Sequence, residues 1–180
     1  MTSEEPIVKE YSGITEVSLP RAPENVSQPS IEELKQFRKR SEELERQAAD
    51  LQQKEQGVDE FVVSSGSARI VVEPLYTFEA QKKGLLGRDS LPADRGTLYV
   101  FQMDDPGRLF GTQGMKFPID LIWANNDRQI VHIHKNVPPD FSNSLKSVWP
   151  ARYVMEVNAG TVDRGGIRVG DVLELGKIPH

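Results

Sequence analysis

Apolar side chains fall on every second position in two stretches of the chain. Phe117, Ile119, Leu121 and Trp123 form one such set, and Tyr153, Met155 and Val157 another. A period of two places each set on one face of a β-strand. Strand-like runs also occur at Ala68–Pro74, Thr97–Met103, Arg128–His134 and Val172–Leu175. Turn signals separate them: Asp104-Asp105-Pro106-Gly107, Asn125-Asn126-Asp127, Pro138-Pro139-Asp140 and Arg164-Gly165-Gly166. Thr77 to Lys83 reads as a short helix that Gly84 stops. Short strands at this spacing predict a mainly β sandwich or barrel, and ~120 residues suffice for its core.

The pattern before Phe61 is different. Ser30 and Glu33 form a capping box just after Pro29, and no glycine or proline interrupts residues 31–56 before Gly57. A helix over 30–57 follows, a rod of about 39 Å. Leu34, Phe37, Ser41, Leu44, Ala48 and Leu51 make a narrow heptad seam for another copy, another protein or the chain's own body. Residues 1–29 hold four prolines and dispersed apolar residues, too few to make a core. They predict an extended acidic arm, ordered through a partner by anchors such as Ile7, Tyr11 and Ile14. The division is thus an arm (1–29), a helix (30–57) and a β-rich body (61–178) expected to fold without the rest.

Charge sharpens this division. The net −5 is made of −3 in residues 1–30, −3 in 31–60 and +1 in 61–180. A near-neutral body with acidic appendages has no electrostatic attraction for nucleic acid or an anionic membrane. Zero cysteines remove disulfides, thiolate ligands and cysteine nucleophiles. No export signal is legible at the start, and no apolar run approaches the ~20 residues that span a bilayer. The expectation is a soluble protein, cytoplasmic or held within a macromolecular assembly.

Several motifs in the body occur in an informative order. They are Gly84-Leu85-Leu86-Gly87-Arg88-Asp89-Ser90-Leu91, Gly96-Thr97-Leu98-Tyr99-Val100-Phe101 and Phe117-Pro118-Ile119-Asp120-Leu121-Ile122-Trp123. Tyr153-Val154-Met155-Glu156-Val157-Asn158-Ala159-Gly160 follows, then Gly166-Ile167 and Val169-Gly170-Asp171. Together they resemble the uncharacterised family known as domain of unknown function 192, across residues 69–175. The resemblance implies a mainly β fold of jelly-roll-like sandwich character with one short helix. It implies no catalytic activity, because the family has none established. One segment departs from the family pattern. The usual Phe-Trp-Met-Lys-Asn-Thr is here Phe110-Gly111-Thr112-Gln113-Gly114-Met115, without the tryptophan and the lysine. Thr97 also replaces a methionine, and an acidic arm stands where many relatives carry an export signal.

Chemistry is sparse. His132 and His134 share a strand face and would bind zinc or nickel only with a third ligand from elsewhere; two alone make no tight site, and partly exposed strand residues are the expectation. Asp120 and Glu156 resemble the paired carboxylates of glycoside hydrolysis, though Asp120 fits equally on the wet face of its strand. A ligand pocket, if the body has one, would use Arg88, Phe110, Asp120 and Glu156. No nucleophile elbow, dinucleotide fingerprint or phosphate loop is present.

The function expected from these residues is a non-catalytic structural or interaction protein. It would join a larger multi-protein assembly, a virion included, through residues 1–57, with protein partners or its own copies and no cofactor. The alternative is a small-molecule or carbohydrate-binding domain, or a hydrolase using Asp120, Glu156, His132 and His134.

Overall fold

The computed structural model describes residues 6–11, 13–18, 35–36, 39–40 and 61–177. Among these residues, nine strands form one sheet: β1 (Ile7–Tyr11), β2 (Ile14–Ser18), β3 (Phe61–Ser65), β4 (Ala68–Leu75), β5 (Arg95–Asp105), β6 (Ile119–Ala124), β7 (Ile130–Val137), β8 (Ala151–Asn158) and β9 (Glu174–Lys177). Their order across the sheet is β1-β2-β7-β6-β8-β5-β4-β3-β9. Helix α1 (Phe78–Lys83) lies between β4 and β5, and α2 (Thr161–Gly165) follows β8.

Most of the strand expectations correspond to these elements, with shifted ends. The expected sandwich or barrel takes the form of a single open sheet. The end strands β1 and β9 do not pair with each other, which leaves the sheet open; within it β4 and β5 pair in parallel, whereas the other pairs are antiparallel. A parallel pair cannot be joined by a tight hairpin and needs a crossover, which α1 supplies. Thr77 caps α1 by accepting from the Ala80 amide at 3.2 Å, and the Gly84 amide closes it on the Ala80 carbonyl. A second helix, α2, was not legible in the sequence.

Apolar side chains bury both faces of the sheet. Ile119, Leu121 and Trp123 enter one core with Tyr99, Met115, Leu145 and Val154. Ile122 and Ala124 enter a second core with Leu98, Ile133, Met155 and Val157. All six residues of β6 are buried, as expected for a central strand covered on both sides. The chain from Gly170 to Leu173 bonds to Arg128 and Ile130 beside β7, then continues as β9 along β3.

The arm requires a correction. β1 and β2 form a hairpin across Tyr11 and Ile14, and β2 pairs with β7 of the same chain. Gly13, at φ +77°, supplies the left-handed turn that a two-residue hairpin loop needs. Ile14 is fully buried in the first core. It is therefore not available to a partner, and β1 and β2 belong to the body's own sheet. Ile7 on the edge strand is exposed. Lys35, Gln36, Lys39 and Arg40 are helical and exposed. Leu34, Phe37, Leu44 and Leu51 lie outside the described residues.

Candidate functional site

The register between β5 and β8 places Thr97 opposite Glu156 and Tyr99 opposite Val154. Period-two alternation then directs Thr97, Tyr99 and Glu156 to the first core's face. Glu156 Oε2 accepts hydrogen bonds from the Thr97 hydroxyl at 2.9 Å and the Tyr99 hydroxyl at 3.1 Å. The Leu85 backbone N–H also bonds to this carboxyl. Burial nevertheless dominates and lifts the Glu156 carboxyl from its ordinary 4.5 to about 7, against these bonds and the Arg88 charge. Burial and the Glu156 carboxyl likewise hold the Tyr99 hydroxyl protonated, above its usual range.

Glu156 and Tyr99 form the floor of a cleft of about 750 Å³, within the range of small-molecule sites. Phe101, Phe110 and Met115 wall it. The Phe110 ring meets Tyr99 edge-on at 4.8 Å between centroids, and Arg108 stacks over Phe101 at 3.6 Å. Lys82, Lys83 and Arg108 contribute three cations to the lining against the single exposed-side acid Asp105. Phe78, Leu86 and Leu109 also line it and remain exposed. Exposed large apolar residues gathered at one concavity make it a candidate binding surface.

The family motifs now acquire local reasons. Gly84 ends α1 at φ +44°, where any Cβ would overlap the Tyr99 hydroxyl. This lets the chain turn close over Glu156 and deliver the Leu85 amide. The divergent segment from Phe110 to Met115 provides one wall, with Phe110, Gly111, Gln113 and Met115 all facing the cleft. The missing tryptophan and lysine leave a cleft that still has rings and a cation, supplied by Phe101 and Arg108.

The expected site residues do not converge. Glu156 and Phe110 line the cleft, but Arg88 and Asp120 do not. Arg88 pairs with Glu73 at 2.5 Å. Asp120 pairs in register with Val157, while Leu121 pairs with Glu156, so the two carboxylates point to opposite faces. Asp120 accepts from the backbone of Asn136 and of Val162, both at 2.9 Å. Its burial raises its carboxyl, which these backbone bonds oppose. It fastens α2 to the sheet and is not on a wet strand face.

His132 and His134 face the first core and are buried, not partly exposed as expected. Burial lowers them to about 3 and about 4, so both are neutral near pH 7. His134 Nδ1 accepts from the Trp123 indole at 3.3 Å. β2 adds Glu16, directly opposite His134 in the ladder. Glu16, Thr97 and Tyr99 are candidate-site residues that the sequence does not single out. Only the pairing of distant strands brings them to their partners.

Comparison with known proteins agrees with this fold. A crystal structure of a candidate transcription regulator from Sinorhizobium meliloti is 29% identical, with a TM-score of 0.60 over 65% of this chain and 92% of that one. A protein of unknown function from Novosphingobium aromaticivorans is 30% identical, with a TM-score of 0.58 over 64% of this chain and 83% of that one. No curated protein matches the chain. The family pattern of domain of unknown function 192, described as uncharacterized ACR, matches residues 61–175. Of the motifs that resemble this family, those at residues 84–91, 96–101 and 153–160 each contribute residues to the cleft lining, and the chain belongs to that family.

Proposed function

We propose that the β-rich body binds a small molecule with an apolar body and an acidic head. The observation that carries this reading is the buried Glu156–Tyr99 floor beneath an aromatic-walled cleft of about 750 Å³. Rings and exposed leucines suit an apolar body, and the excess of lining cations suits an anionic group. A largely protonated Glu156 below about pH 7 does not repel that anion. The hydrolase alternative loses support, because Asp120 is on the opposite face and is occupied by backbone donors.

Titration of the full chain with octanoate and benzoate, observed by saturation-transfer NMR, tests this reading. Both acids should bind, methyl β-glucoside should not, and Phe110→Ala should weaken the acids at least fivefold. Equal behaviour of acids and glucoside, or indifference to Phe110→Ala, would argue against it.

A second reading keeps the assembly role. β1 is an edge strand with Ile7 and Val8 exposed, so a neighbouring chain could extend the sheet there. This supports protein contact through the start of the chain, and it carries no specific support for a virion role.

A further inference from the structure

We propose that Glu16, His132 and His134 form a binding site for a divalent transition-metal ion of the zinc class. Three observations meet at this point of the sheet. The ligating atoms of the three side chains all lie within 4.8 Å of one another. His132 is fully buried, and among the described residues neither of its ring nitrogens has a hydrogen-bond partner. Its Nε2 is 3.4 Å from Glu16 Oε1, without the alignment of a hydrogen bond.

A buried imidazole with both nitrogens unpaired forfeits the interactions it had in water. An ion would use one of those nitrogens. The strand register makes the arrangement specific: Glu16 lies opposite His134, and Ser18 opposite His132, so the β2–β7 ladder holds the carboxylate over the histidine pair. The two rings are 4.5 Å apart between centroids.

The donor set selects the ion. Two imidazoles and one carboxylate suit zinc and its first-row neighbours, whereas calcium and magnesium require oxygen cages. Lys9, on β1, adds a positive charge that disfavours imidazolium at His132 and also opposes a cation. Glu16 offsets that charge. Tetrahedral ligands at ~2.0–2.1 Å lie about 3.3 Å apart, so the three groups would draw together on binding.

Trp123 provides an internal reporter. Its indole N–H donates to His134 Nδ1. Coordination through Nδ1 takes the lone pair it uses. Coordination through Nε2 puts the proton on Nδ1, facing the indole N–H. In either case the indole loses its acceptor.

The test is calorimetric titration of the full chain with zinc chloride, with the two tryptophan indole N–H resonances followed by NMR. One ion per chain should bind at about 10 μM or tighter, and the Trp123 resonance should move while Trp149 stays. Glu16→Gln, which keeps the side chain's shape, should weaken binding at least tenfold, and His134→Ala should abolish it. Calcium chloride should not bind. Failure to bind zinc, equal binding by Glu16→Gln, an unmoved Trp123 resonance or equal binding of calcium would each overturn the proposal. Zinc binding and acid binding have separate readouts, so either can fail alone.

Discussion

The Tyr99 hydroxyl donates to Glu156 Oε2 at 3.1 Å from the strand beside it. This bond joins two groups that burial holds toward their protonated forms. Between about pH 4.5 and 7 the folded protein keeps a proton on Glu156 that the unfolded chain has released. More protons bound to the native state means stability falls as pH rises through that window. The contribution is fully present below about 4.5 and gone above about 7, on the order of 3 kcal/mol in total. The histidines run the other way, because their lowered values favour the folded state more as pH rises toward 6.5. The raw curve is therefore a composite. Urea denaturation of the wild type and Glu156→Gln at pH 5 and pH 8 separates the two. The variant's stability relative to wild type should be higher at pH 8 than at pH 5, and a constant difference would contradict the assignment.

Gly84→Ala should destabilise the protein by about 2–4 kcal/mol, since the added carbon overlaps the Tyr99 hydroxyl. Removing that hydroxyl frees the space. The double variant Gly84→Ala with Tyr99→Phe should therefore lose less than the sum of the single losses. A double-mutant cycle by thermal unfolding checks this, and strict additivity would place the strain elsewhere.

Asp120→Asn should cost about 2–3 kcal/mol, because its amide turns a donor toward one of the two backbone N–H groups that the carboxylate now accepts from, of Asn136 and of Val162. Its affinity for octanoate should match that of the wild type, since Asp120 lies on the other face of the sheet. Chemical denaturation and titration on the same sample measure both. Lost affinity with unchanged stability would restore Asp120 to the site.

The β-rich body was legible because β6 and β8 carry their period-two alternation openly, and Gly84 marks the end of α1. The hairpin is weakly marked in the sequence, its one turn signal being Ser12-Gly13 between Tyr11 and Ile14. The surrounding prolines and acids made the segment read as an arm. At the site, Glu156 and Phe110 stood out as a carboxylate among apolar neighbours and a retained ring. Thr97 and Tyr99 looked like ordinary strand residues until β5 paired with β8. Asp120 misled because one residue of register separates the two faces of a strand.

The most direct measurement of the central claim is amide chemical-shift mapping of the full chain during titration with octanoate at pH 6. The account predicts saturable shifts concentrated at Leu85, Phe101, Phe110 and Gly111, with affinity falling as pH is raised through about 7 and Glu156 ionises. No saturable shift, or shifts centred on Asp120 and Val162 across the sheet, would contradict it.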